Sequence, residues 1–156
     1  NRRAARRELA RLVDQQRFLQ VALVDADQFK RINDTYGHDT GDRVLIALGD
    51  HLRDTVAGRG SCARLGGEEF LMILPELSHD DARECCESLR AAVEATPVTL
   101  ADGRSIHYTV SIGLSSRARG APVATLLNQA DVQTYRAKAA GRNRVCADAA
   151  VAQLLG

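Results

Sequence analysis

The chain has 156 residues, 45% hydrophobic, 26% charged and 4% aromatic, with a formal net charge of +1. This is the profile of one soluble globular domain and excludes a disordered or fibrous chain. No run of about 18 apolar residues is present to span a bilayer, and the near-neutral charge argues against a duplex-binding surface, so no nucleic-acid partner is expected.

A first helix is predicted over Arg2–Gln16 from the spacing of Ala5, Leu9, Leu12 and Val13. Arg2, Arg3, Arg6, Arg7 and Arg11 crowd it, and without interleaved aromatic residues they read as a solvated face. The run Val21–Val24 is a buried strand that stops on Asp25-Ala26-Asp27. A short helical turn (Gln28–Asn33) and a polar loop (Asp34–Gly41) lead into a helix over Asp42–Val56, which ends at Gly58-Arg59-Gly60. Cys62–Leu65 and Phe70–Leu74 flank Gly66-Gly67-Glu68-Glu69 and read as a β-hairpin with a glycine tip, closed by Pro75. Ser78-His79-Asp80-Asp81 is a capping box opening a helix to Ala95. Val98–Leu100 and Ile106–Ile112 form a second hairpin around Asp102-Gly103. A last helix, Val123–Ala140, is capped by Gly141 and followed by a closing strand, Arg144–Cys146.

The order predicts an α+β fold. Its core is a ferredoxin-like βαββαβ unit with a central antiparallel sheet flanked by helices, carrying an extra β-hairpin and a C-terminal αβ unit. Such a sheet is expected to leave one face open for a ligand. Cys62, Cys85, Cys86 and Cys146 form no C-x-x-C pair and read as reduced core thiols. Phe29 and Phe70 read as core aromatics, and Tyr135 is expected to pack the last helix.

Three clusters carry chemistry. Carboxylates at the end of an apolar strand, Asp25 and Asp27, need a compensating cation or hydrogen bonds, so metal binding and strand-end capping both remain open. Glu68 and Glu69 place negative charge at a hairpin tip where folding does not need it; a solvated turn is the bland alternative. In a βαββαβ sheet these two clusters are neighbours, and Asp25, Glu68 and Glu69 together would suit Mg²⁺. The third cluster is Lys30, Asn33, His38 and Asp42 after the first strand, with Lys138 and Arg142 at the end of the last helix. Cations there could meet phosphate oxygens, and Asn33 and Asp42 a base edge. Lys30 and Lys138 are the only lysines in the chain.

Arg64-Leu-Gly-Gly-Glu-Glu-Phe70 resembles the signature of the GGDEF-domain diguanylate cyclases, in its GGEEF form. Asp25-Ala-Asp-Gln-Phe-Lys-Arg-Ile-Asn-Asp-Thr-Tyr-Gly-His-Asp-Thr-Gly-Asp42 resembles the family's D-x-D-x-F-K-x-x-N-D-x-x-G-H-x-x-G-D stretch. Thr109-Val-Ser-Ile-Gly113 resembles its T-x-S-I-G strand, and Ala130-Asp131 through Tyr135-Arg-Ala-Lys138 to Gly141-Arg142-Asn143 its A-D-x-x-x-Y-x-A-K-x-x-G-R-N ending.

The resemblance implies condensation of two GTP into cyclic di-GMP with release of two pyrophosphates, across a homodimer holding one GTP per subunit. It carries over Asp25, Glu68 and the Ala26 carbonyl as ligands of Mg²⁺, for which Mn²⁺ could substitute. Glu68 or Glu69 becomes the base and Lys30 the transition-state cation; Lys138 and Arg142 take the β- and γ-phosphates. Asn33 and Asp42 bind guanine, with His38 as a further substrate contact. The alternative is an inactive GTP- or cyclic-dinucleotide-binding module, or a dimerisation module, of a signalling protein. Two departures stand out. The family's product-binding Arg-x-x-Asp falls on Ala57-Gly58-Arg59-Gly60, and its further arginine on Ser88. The family's lead-in survives only as Asn1-Arg2-Arg3, so the chain is expected to be a single domain, residues 1–156, at the C-terminal side of a longer sensory protein. The domain is expected in the cytoplasm, since no secretory leader is seen, whether or not the whole protein is membrane-anchored.

Overall fold

A computed structural model describes residues 2–15, 18–117 and 120–148. The elements are α1 (Arg2–Asp14), β1 (Leu19–Ala26), α2 (Phe29–Tyr36), α3 (His38–Val56), β2 (Ser61–Gly66), β3 (Glu69–Pro75) and α4 (His79–Ala95). They continue with β4 (Val98–Thr99), β5 (Ser105–Ile106), β6 (Val110–Ser116), α5 (Val123–Ala139) and β7 (Arg144–Ala147). The main sheet has the order β2-β3-β1-β6-β7. Its first four strands are antiparallel neighbours, as the βαββαβ pattern requires, and β7 joins parallel to β6, so the sheet is mixed.

β1 lies at the centre and is buried along its whole length. On one face Ala22 and Val24, with Met72 of β3 and Ile112 of β6, pack against Val44, Leu48 and Leu52 of α3 and Cys86 and Leu89 of α4. On the other, Val21, Leu23, Leu71 and Ile73 meet Leu9 and Leu12 of α1 and Leu126 and Ala130 of α5. Each fully buried leucine contributes roughly 1.5–3 kcal/mol. Helices therefore cover both faces, where one open face was expected. An apolar run without alternation, such as Val21–Val24, belongs to a strand buried on both sides. The space for a ligand lies instead at the C-terminal end of β1.

Several boundaries moved, for physical reasons. The polar stretch 34–41 is helical rather than a loop. The Gly37 N–H closes α2 on the Asn33 carbonyl, and α3 starts at His38. The long strand expected over Ile106–Ile112 is broken: Ser105–Ile106 pairs with β4 in a separate two-stranded sheet, and β6 begins at Val110. Ile106, Tyr108, Val110 and Ile112 are all buried, so the alternation reported facing but not the partner strand. β1 runs on through Asp25 and Ala26 instead of stopping before them. The expected end of the first helix at Gln16 lies outside the described residues.

Other expectations hold. The five arginines of α1 are exposed. Ser78 caps α4 by accepting the Asp81 N–H at 3.1 Å. Phe70 is buried, and Phe29 is partly buried against the same core cluster. Cys85 and Cys86 are buried free thiols, and burial pushes both thiols up, away from the reactive thiolate. Tyr135 departs: it is 74% exposed and packs against nothing in the core.

Candidate active site at the end of strand β1

The register of the sheet decides what meets at this end. Asp25 stands opposite Glu69 on β3 and Ser111 on β6, and the Ala26 N–H donates to the Glu68 carbonyl at 3.3 Å. The hairpin tip that carries the two glutamates needs Gly67, whose φ of 51° few side-chain-bearing residues adopt. Arg64 secures that tip, donating Nε and Nη2 to the Gly67 carbonyl at 3.0 and 2.8 Å. Asp25, Glu68 and Glu69 thus converge, as the topology predicted.

Asp25 is 7% exposed, and its carboxylate accepts from Lys138 Nζ at 2.5 Å. Burial drives its pKa up; Lys138 opposes that rise, while the charges of Glu68 and Glu69 add to it. The pairing gives Lys138 a partner that sequence reasoning had not assigned, since it was expected to face phosphates. Lys138 reaches Asp25 because Ala130 and Ala137 lay α5 against the sheet.

Asp25 and Asp27 divide the two readings that the sequence left open. Asp27, 6% exposed, is the capped one: Ser111 Oγ donates to Oδ1 at 2.5 Å, and Thr109 Oγ1 and the Asn143 N–H donate to Oδ2 at 2.6 and 3.0 Å. Capping was one of the two readings the sequence left open for this pair, though without its donors. The signal was present as three polar residues, Asp27, Thr109 and Ser111, next to otherwise apolar strand positions.

The remaining predicted residues lie on α2, on α3 and at or beyond the end of α5. Lys30 sits exposed on the first turn of α2, and no described residue pairs with it. Asn33 packs over Gly41, and its Oδ1 is buried without a hydrogen-bond partner. Asp42 is exposed and opens onto a cleft between α3 and the hairpin, lined also by Leu45, Ile46, Arg64 and Phe70. Arg142 is exposed beyond α5, in a cleft shared with Asp27, Gln28 and Arg31. Glu69 also lines a groove with Arg2 and Arg6 of α1. His38 is exposed as the first residue of α3 and lines neither cleft.

The donor chemistry suits a hard divalent cation. A buried carboxylate beside two more carboxylates carries excess negative charge, which here a lysine ammonium offsets. Among the described residues, however, no three acidic, histidine or cysteine side chains stand grouped closely enough to enclose a metal ion. Protein ligands would therefore be few, with Lys138 giving up Asp25 or sharing it.

A profile described as "Diguanylate cyclase, GGDEF domain" matches residues 1–144. Response regulator PleD of Caulobacter vibrioides is 44% identical over 130 residues, covering 82% of this chain and 29% of that protein. The chain thus spans well under half of that relative. Diguanylate cyclase SiaD of Pseudomonas aeruginosa, solved with its activator SiaC, superposes with a TM-score of 0.88 at 32% identity, covering 95% of this chain and 58% of that one. The active GGEEF domain of a diguanylate cyclase from Vibrio cholerae does so with a TM-score of 0.84 at 32% identity, covering 94% and 96%. With a profile match over nearly all its length and the same fold, this chain belongs to the diguanylate cyclase GGDEF-domain family.

Proposed function

We propose that the domain is a diguanylate cyclase that condenses two GTP into cyclic di-GMP and releases two pyrophosphates. The observation that carries this reading is the meeting of buried Asp25 with half-buried Glu68 and Glu69 and with Lys138 at one end of the sheet, an arrangement that costs stability and that folding does not need. Asn33, with a buried unpartnered oxygen, and Asp42, on the neighbouring cleft, supply hydrogen-bonding groups for a base.

In each half-reaction a ribose 3′-hydroxyl bonds to the α-phosphorus of the other GTP as pyrophosphate leaves, and its proton passes to Glu68 or Glu69. Asp25, the Ala26 carbonyl and Glu68 would hold Mg²⁺, which supplies positive charge that favours the alkoxide and offsets charge on the phosphate. Lys30 stabilises charge on the transferring phosphate, and Arg142 and Lys138 hold the β- and γ-phosphates. Asp42, an acceptor-only carboxylate, fits the paired N–H donors of guanine and not the N1 acceptor of adenine; Asn33 and His38 complete the substrate contacts. Two such sites face one another in a homodimer, because one subunit holds one GTP. The domain belongs to a longer, cytoplasm-facing protein with a sensory or partner-binding region, consistent with a relative that is a response regulator and a structural neighbour solved with an activator.

Incubation with GTP and Mg²⁺ and identification of the product test this directly. We expect cyclic di-GMP, with kcat/KM for GTP at least about a hundredfold above that for ATP. Binding of GTP without any cyclic product would replace the enzyme by a nucleotide-binding module.

A further inference from the structure

Asp27 takes no part in the chemistry above, yet it is buried with three donors on its carboxylate, and they come from two separate places in the chain. Thr109 immediately precedes β6 and Ser111 lies at its start. The Asn143 N–H belongs to the loop after α5, which also carries Arg142. A second backbone bond, from Asp27 N to the Thr109 carbonyl at 2.9 Å, ties the end of β1 to the same point.

That loop has an unusual backbone. Arg142 and Asn143 both have positive φ, 66° and 47°, a region that non-glycine residues leave unless something holds them there. Three constraints do so. The Arg142 N–H donates to the Ala137 carbonyl at 2.9 Å. The Asn143 side chain is held from α4, with Arg90 Nη1 donating to its Oδ1 at 2.9 Å and its Nδ2 donating to Glu94. Asp27 holds the Asn143 N–H from the opposite side. Of these, only the Asp27 bond ties the loop to the end of β1.

We propose that Asp27 is a positioning residue: its carboxylate anchors the Gly141–Asn143 loop to β1 and β6, and so aims Arg142 at the phosphate side of the site. This rests on the cyclase reading for the identity of the ligand. Because both oxygens of Asp27 already accept donors, it acts through the loop and not by touching substrate. Asparagine at this position would replace an acceptor oxygen by an N–H group facing donors, and release the loop.

The test uses nucleotides that bind without reacting. Affinities of 3′-deoxy-GTP and 3′-deoxy-GMP, which lack the attacking hydroxyl, are measured by calorimetry with Mg²⁺. The triphosphate is expected to bind wild type more tightly than the monophosphate. Asp27→Asn should weaken the triphosphate about tenfold to a hundredfold, the loss of one charge-assisted phosphate contact, and leave the monophosphate unchanged. Arg142→Ala should do the same, and the double variant should bind no worse than Arg142→Ala alone, because the two residues act in series. A merely structural role would weaken both nucleotides alike and add to the Arg142→Ala effect; either result overturns the proposal. Should Asp27→Asn fail to fold, the pair Thr109→Val with Ser111→Ala carries the test, since it frees the carboxylate from β6 and is expected to lower the same ratio. A wild-type chain that binds neither nucleotide overturns the cyclase reading and the positioning role with it. A chain that prefers the triphosphate but is indifferent to Asp27 overturns the positioning role alone.

Discussion

Asp25 sits where its own charge is opposed. Burial raises its pKa, Glu68 and Glu69 raise it further, and Lys138 recovers only part of the loss. A carboxyl with a higher pKa folded than unfolded binds more protons when folded, so stability falls as pH rises from the ordinary carboxylate range through the raised value. At pH 7 the charged side chain is therefore a cost. Asp25→Asn is expected to melt at or above the wild-type temperature at pH 7 when no metal is added, with the difference closing as pH falls toward about 4. The same variant, and Glu68→Gln, should lose turnover while keeping the circular dichroism of the folded chain. Full activity in either variant would remove that residue from the site. A clear loss of stability in Asp25→Asn would mean that the Lys138 pair outweighs burial.

At the scale of elements, the junction of α2 and α3 carries Asn33, which the proposed reaction sets against the base. Both helices are short of apolar residues near Gly37, and the close packing of Asn33 on Gly41 joins them there. A Cβ on Gly41 would lie 1.8 Å from Asn33 Oδ1 and 3.1 Å from Phe29 Cζ, so Asn33 must move. Alanine is otherwise the better helix residue, by about 0.5–1 kcal/mol. Gly41→Ala should thus cost little in melting temperature and weaken GTP binding about tenfold, read by calorimetry with 3′-deoxy-GTP. Unchanged affinity would show that Asn33 does not contact the nucleotide. The stretch 34–41 was not legible as helix because it is polar; hydrophobic periodicity, the main signal in sequence, is absent where a helix faces solvent and substrate.

At the scale of the whole molecule, control of activity follows from what is missing and what must assemble. Ala57 and Gly60 can neither grip a phosphate nor accept from guanine. Arg59 between them turns back on its own helix, donating Nη2 to the Thr55 carbonyl at 2.9 Å. Ser88, where the family's further arginine is expected, is exposed and uncharged. Losing two or three charge-assisted bonds at about 1.5–3 kcal/mol each should weaken cyclic di-GMP binding outside the active site a hundredfold or more. Calorimetry of nucleotide-free Asp25→Asn should accordingly find no submicromolar site. In the proposed reaction two GTP meet across two copies, so specific activity should also rise with protein concentration until the dimer is saturated. A flat profile from dilute to concentrated enzyme would mean that assembly is not limiting.

The order of the elements apart from the split of β5 from β6, the βαββαβ core and the meeting of Asp25 with Glu68 and Glu69 at the end of β1 were legible in the chain itself. Apolar periodicity reports which face is buried, and glycine and carboxylate positions stand out where folding has no use for them. Three things were decided only by the tertiary structure. Helices cover both faces of the sheet, because α1 and α5 supply Leu9, Leu12 and Leu126 from opposite ends of the chain. Asp25 is paired with Lys138, 113 positions away, and Asp27 is satisfied by Thr109, Ser111 and Asn143. Two aspartates one residue apart look alike in a sequence; which is capped and which is left charged and strained depends on donors that only folding brings to them.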